Sequence, residues 1–204
     1  MYINFSIFYR NFRFLTKEKY YGIISVKIRS SDMRIETKRL IITTFTIDMA
    51  EAVHLGSLDE STRLFVPDEV FETADDARDT LEYLISVYEG GDGPLVYPIL
   101  LDSEYIGYVQ AVPMDNNCWE IGYHINEKHR NFGYATEALT AFLPIIMKQL
   151  GISSILGICL SENPASATVM EKCGFKKVFQ GVDRYHGNDE MICKYVFSSS
   201  NPCN

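Results

Sequence analysis

The chain has 204 residues, 47% of them hydrophobic, with 13 Gly and 7 Pro. These values exclude collagen-like, coiled-coil and disordered classes and, at about 150 residues per domain, read as one domain. Nineteen Lys plus Arg against 27 Asp plus Glu give a net charge of −8, which argues against nucleic acid or an anionic membrane as partner, because both are bound through Lys and Arg. The five cysteines, Cys118, Cys159, Cys173, Cys193 and Cys203, include no C-x-x-C pair, so neither a disulfide framework nor a zinc site is encoded locally, and a cytoplasmic protein is expected. No apolar run approaches the ~18 residues of a membrane span, and Arg10 and Arg13 interrupt the N-terminal aromatic stretch where an export signal would be apolar.

Residues 1–32 carry Arg10, Arg13, Lys17, Lys19, Lys27 and Arg29 against Glu18 and Asp32, a net of +4 that leaves −12 for the rest. Without heptads or repeats this arm reads as a loosely attached extension. Met33, directly before the strand-like run that begins at Arg34, offers an alternative translation start. The expected organisation is an extension over 1–33, one domain over 34–197 and a tail over 198–204.

A β-branched run predicts a strand over 40–45 and a helix over 47–58. Thr73 and Asp76 have capping-box spacing, and Ala77, Leu81, Leu84, Ile85 and Tyr88 follow at helical intervals until Gly90 and Gly91 stop them. Three short strands over 96–101, 105–112 and 119–125, separated by turn-rich segments, predict an antiparallel meander. Ala135, Ala138, Leu139, Phe142, Leu143, Ile146, Met147 and Leu150 form the apolar stripe of a helix ending at Gly151. Pro144 inside it predicts a kink, since its missing N–H and ring clash cost ~3 kcal/mol in a regular interior. The remainder reads strand 154–160, helix 164–173, strand 175–180 and strand 191–197. An α/β class follows, an α+β mixed sheet of six or seven strands, mostly antiparallel, with about four helices.

Arg130-Asn131-Phe132-Gly133-Tyr134-Ala135 lies between the last meander strand and the long helix. The unpaired amides and positive dipole of a helix start favour a phosphate there. Gly133 removes a side chain where oxygens must come close, Ala135 is nearly as small, and Arg130 can supply charge. Alone, such a loop is equally an ordinary strand-to-helix connection.

Four motifs stand in order: Trp119-Glu120-Ile121-Gly122-Tyr123-His124-Ile125; Arg130-Asn131-Phe132-Gly133-Tyr134-Ala135-Thr136-Glu137-Ala138; Glu162-Asn163-Pro164-Ala165-Ser166; and Glu171-Lys172-Cys173-Gly174-Phe175. Together they resemble the GNAT superfamily of acetyl-CoA-dependent N-acetyltransferases, and most of all its ribosomal-protein N-terminal acetyltransferase branch. The resemblance covers roughly 34–197. It implies a sheet whose fourth and fifth strands, here 119–125 and 154–160, splay apart around the pantetheine arm of acetyl-CoA. It implies pyrophosphate binding by the amides of Asn131, Phe132, Gly133, Tyr134, Ala135 and Thr136 after Arg130, and pantetheine pairing by the backbone of His124 and Ile125. Asn131 departs from the family's frequent Gly, yet Asn tolerates a left-handed backbone. Asn163 before Pro164 reads by itself as a helix N-cap; the resemblance makes it a coenzyme contact, with Ser166 a second.

Transfer from a thioester to an amine requires a group to take the amine's proton and needs no metal. Glu120 is the candidate base by the resemblance and by its place at the head of the splayed strand; burial beside Trp119 would raise its basicity. Relatives often carry a tyrosine seven residues after the motif asparagine as general acid, where this chain has Met170; Tyr134, Ser166 and Tyr185 are alternatives, none compelling. His124 shares a strand face with Glu120 and reads as packing, and Cys173 reads as core. Eleven acids between 59 and 92, against Arg63 and Arg78, would attract a cationic acceptor, whether a small molecule or a protein N-terminus, or equally form a solvated helix face. A monomer or homodimer is expected. An acyl-CoA-binding sensor and a scaffold without ligand are the non-enzymatic alternatives.

Overall fold

A computed structural model describes residues 33–199 apart from Glu89, Gly91, Asp92, Asp115, Asn116 and His186. The basic arm over 1–32 and the end of the tail over 200–204 lie outside the described residues, as do Gly91 and parts of the turn over 113–117. Among the described residues eight strands form one sheet in the order β1-β2-β3-β4-β5-β6-β8-β7. They are β1 (Ile35–Glu36), β2 (Leu40–Ile42), β3 (Leu95–Leu101), β4 (Glu104–Pro113), β5 (Trp119–Ile125), β6 (Ser154–Leu160), β7 (Lys176–Tyr185) and β8 (Asn188–Ser198). The mixed, mostly antiparallel α/β architecture agrees with the sequence reading, with one strand beyond the six or seven expected. That strand is β1, two residues long and too short to carry a period-2 pattern; pairing with β2 across the Thr37 turn fixes it.

Five α-helices are present among the described residues: α1 (Ala50–Ser57), α2 (Glu60–Phe65), α3 (Ala74–Tyr88), α4 (Tyr134–Leu150) and α5 (Pro164–Lys172). Single 3-10 turns occupy Ile47–Met49, Pro67–Glu69 and Glu127–His129. The helix not foreseen is α2, whose six residues are started by Asp59, an N-cap accepting from Ser61 N and Thr62 N. The capping box before α3 is reciprocal: Thr73 N donates to Asp76 Oδ2 at 3.0 Å, and Asp76 N donates to Thr73 Oγ1 at 3.1 Å. In α4 the predicted stripe is the buried face, while Pro144 lies on the exposed side and the helix runs on past it to the left-handed Gly151.

Strand alternation sorts the middle of the sheet into two working faces. Register pairs Tyr108 with His124, Gln110 with Gly122 and Val112 with Glu120, so these six share one face. Val109, Ala111, Ile121, Tyr123 and Ile125 share the other. Thr62 of α2 reaches His124 from the first face, and Ser166 of α5 meets Tyr123 on the second. The neighbours β5 and β6 run parallel and pair only through Glu120 with Leu156 and Ile121 with Gly157. Beyond those two pairs the strands separate, as the resemblance implied, although in this sheet they are the fifth and sixth.

Candidate active site

The separation opens a cavity of about 740 Å³ that runs from the loop before α4, along the edge of β5, to Glu120 and the 3-10 turn at Pro67–Glu69. Glu120, His124, Ile125, Arg130, Asn131, Gly133, Tyr134, Ala135, Thr136, Asn163 and Ser166 all line it. Phe132 does not; its side chain is 61% exposed and stacks on Tyr134.

At one end the loop folds as a concave row of amides. Asn131 (φ 69°) and Gly133 (φ 82°) are both left-handed, a backbone that turns successive N–H groups inward and makes an anion-binding concavity at the start of α4. A Cβ on Gly133 would meet no atom closer than Arg39 Nη2 at 3.7 Å, so backbone conformation, not protein packing, calls for glycine there.

The Arg130 guanidinium, expected from the sequence to supply charge to an anion, lines the cavity and is held by a set of acceptors within the fold. It grips Asp59 with Nη1 to Oδ1 at 3.0 Å and Nη2 to Oδ2 at 2.9 Å, and donates through Nε to the Ile125 carbonyl at 2.7 Å. Ser61 Oγ, Thr62 Oγ1 and His124 Nε2 complete its shell. Burial alone would raise the Asp59 pKa, but the Thr62 hydroxyl and the Arg130 guanidinium hold it well below the usual carboxylate range. The cation beside the loop is Arg39: it donates to the Phe132 carbonyl at 3.0 Å, lies 4.4 Å from the Tyr134 ring centroid, and is held by Glu137. His124, its side chain 11% exposed, is pushed down to about 4 by burial and by Arg130. Its Nε2 accepts from Arg130 Nη2, as a neutral ring does.

The other end is acidic. Glu120 is 8% exposed on β5. From the facing 3-10 turn Glu69 reaches the same cavity, its Oε1 accepting from Gln110 Nε2 at 3.2 Å. Gly122 makes that reach possible, because a Cβ there would lie 2.6 Å from Gln110 Nε2. Burial, and then the charges of Asp68 and Glu120, raise Glu69 to about 7 against the lowering effect of the Gln110 bond. The other acids between 59 and 92 divide: Asp75, Asp76, Asp79 and Glu82 lie on the exposed side of α3, and Glu72 pairs with Arg63 at the surface.

On the second face Asn163 caps α5, its Oδ1 accepting from Ser166 N at 3.0 Å, so Nδ2 is the end left to a ligand. Tyr123 donates to the Ser166 carbonyl at 2.8 Å. Met170 is 1% exposed and packs where a Cβ on Gly157 would touch its sulfur, a core plug rather than a proton donor. Burial raises the Cys173 thiol, which fits a core residue and not a nucleophile. From sequence Gln110, Arg39 and Tyr123 have no role of their own, and Asp59 and Glu69 enter only as members of the acid-rich segment over 59–92. The signals were present but local: a cap-like Asp before Ser61 and Thr62, and a glycine opposite a glutamine in the meander.

The sequence profile of the acetyltransferase (GNAT) domain matches residues 39–176. An uncharacterised N-acetyltransferase, YnaD of Bacillus subtilis, is 31% identical over 148 residues, 71% of this chain and 84% of YnaD. A GNAT-family acetyltransferase crystal structure from Bacillus anthracis superposes with a TM-score of 0.70 at 26% identity, covering 81% of this chain and 98% of that one. The ribosomal L7/L12 alpha-N-protein acetyltransferase RimL, solved with coenzyme A, superposes with the same score at 19% identity, over 81% and 98% of the two chains, a likeness of fold. A profile that spans most of the domain, together with the YnaD match and a sheet that parts where the cavity opens, makes this chain a member of the GNAT acetyltransferase family.

Proposed function

We propose that the protein moves the acetyl group of acetyl-CoA to a primary amine by direct attack in a ternary complex. The observation that carries this reading is one continuous cavity with an anion-binding loop at one end and the buried Glu120 at the other. In it the pyrophosphate rests on the amides from Asn131 to Thr136, beside Arg39, and the pantetheine lies along the open edge of β5 at His124 and Ile125. Asn163 Nδ2 and Ser166 flank the arm. The thioester then arrives near Glu120, which takes the proton of the attacking nitrogen. A coenzyme thiolate is a good leaving group and accepts its proton from water, so no side chain need replace the tyrosine whose place Met170 holds. RimL, as its name states, acts on a protein α-amine; here the acceptor is an amine of a small molecule or a protein N-terminus.

The test is thiol release from acetyl-CoA across a panel of amines, with binding of acetyl-CoA followed separately. Gly133→Asp puts a side chain and a negative charge against the pyrophosphate and should weaken acetyl-CoA by orders of magnitude in a folded protein. Unchanged affinity would remove the loop from the site. Tight binding without release by any amine would make the chain a sensor.

A further inference from the structure

The acid end of the cavity holds more acceptors than its own donors satisfy. Glu69 Oε2 is inaccessible to solvent and has no hydrogen-bond partner among the described residues; Gln110, 9% exposed, leaves its Oε1 in the same state. Both residues line the cavity with Glu120. A buried, unanswered acceptor is costly to keep, more so when charged, so a site that keeps two of them beside a second carboxylate is shaped for something that brings donors. The ligand that answers acceptors of this number and charge is a primary ammonium, with three N–H donors and one positive charge.

We propose that Glu69 and Gln110 form, with Glu120, the seat of a cationic aliphatic amine, and that Glu69 is the catalytic residue that converts the bound ammonium to the attacking amine. This rests on the transfer reaction proposed above and adds its acceptor class. Glu69 takes one proton from R–NH3⁺, leaving a nitrogen lone pair. That pair forms the C–N bond to the thioester carbonyl, and Glu120 takes a second proton from the nitrogen. The C–S bond then breaks, and the departing thiolate recovers the proton held by Glu69, through water. Glu120 returns its own to solvent. One ammonium and one acetyl-CoA yield one amide, one coenzyme thiol and one proton.

Glu69 suits this task, because a carboxylate raised to about 7 is half ionised near neutrality and strong enough to share a proton with an amine desolvated beside it. The titratable groups acting on it are Asp68 on its own turn, Glu120 from β5 and Tyr105 from β4; His124 lines the same cavity and is neutral.

The experiment compares wild type with Glu69→Gln on a primary alkylamine that is cationic at neutral pH and on its β,β,β-trifluorinated analogue, which is largely neutral there. We expect kcat/KM for the cationic amine to fall ~10²-fold or more and for the fluorinated amine to change little, with acetyl-CoA affinity retained. The limb near neutrality in the pH profile of the alkylamine should vanish. Gln110→Met, which removes the bond that lowers Glu69, should move that limb to higher pH and supplies the answer if Glu69→Gln fails to fold. Equal losses with both amines, an indifferent Glu69→Gln, or a limb that Gln110→Met leaves in place overturns the seat alone. A wild type that transfers to no amine overturns the reaction on which the seat rests.

Discussion

Asp59 and Glu69 bound the same short stretch of chain, α2 and the turn after it, yet the fold treats the two carboxylates in opposite ways. Asp59 meets a bidentate guanidinium, two hydroxyls and two backbone amides, and stays ionised far into acid. Glu69 meets one neutral amide and the charges of two other carboxylates, and burial first, then those charges, raise its pKa to about 7. The difference lies in partners, not in residue type. A buried charge with full compensation is a structural joint, here locking α2 to the loop before α4 through Arg130; one without it is held ready for a proton or a cation.

The largest effect that sharpens this contrast is catalytic. Glu120→Gln keeps size and hydrogen bonding but removes basicity, and kcat should fall ~10²–10⁴-fold with acetyl-CoA affinity nearly unchanged. Steady-state kinetics beside calorimetry of acetyl-CoA binding checks this, and full activity in the variant would reduce Glu120 to a positioning residue.

Breaking the paired end comes next. Arg130→Met strands Asp59 as an uncompensated buried charge, at a cost of roughly 3 kcal/mol or more, and loosens the loop that carries Asn131 and Gly133. Denaturant unfolding should show the loss, and the double variant with Asp59→Asn should recover part of it. Additive losses would mean that the two side chains do not act as a pair.

A smaller effect separates the two ends by pH. His124 is neutral in the fold and titrates at about 4 instead of its ordinary 6.5, so its contribution to stability is present above 6.5 and is lost as pH falls toward 4. Glu69 has the opposite sign: raised from 4.5 to about 7, it contributes stability below 4.5 that is lost as pH rises toward 7. The two trends oppose each other over the same interval. Glu69→Gln removes the second, so its Tm should rise more steeply than that of wild type between these values and exceed it above them. Calorimetric melts that stay parallel would place Glu69 in a solvated environment.

The smallest concerns the solvated acids. Asp75, Asp76, Asp79 and Glu82 on α3 act only at long range, screened over ~8 Å at physiological ionic strength. Added salt should raise KM for a cationic acceptor modestly and leave that for acetyl-CoA less affected; a flat response would confine acceptor attraction to Glu69 and Glu120.

The sequence by itself determined whatever depends on near neighbours. The buried stripe of α4, the Thr73–Asp76 capping box, the strand bounds of β5 and β6 and the left-handed tolerance of Asn131 follow from periods of 2 and 3.6 and from intrinsic backbone preferences, which a window of ten residues contains. β1 and α2 were missed because two or six residues are too few for a period to register. Tertiary structure alone decided where the charges point. Arg130 stands 71 positions from Asp59 and Gln110 stands 41 from Glu69, and nothing in either neighbourhood says whether a guanidinium will face a phosphate loop or a helix cap. Burial and Coulomb interaction sum over everything within several ångströms in space, whatever its distance along the chain. The sequence could therefore show that this segment is acidic, while only the packed sheet could set one carboxylate fast and leave the other poised.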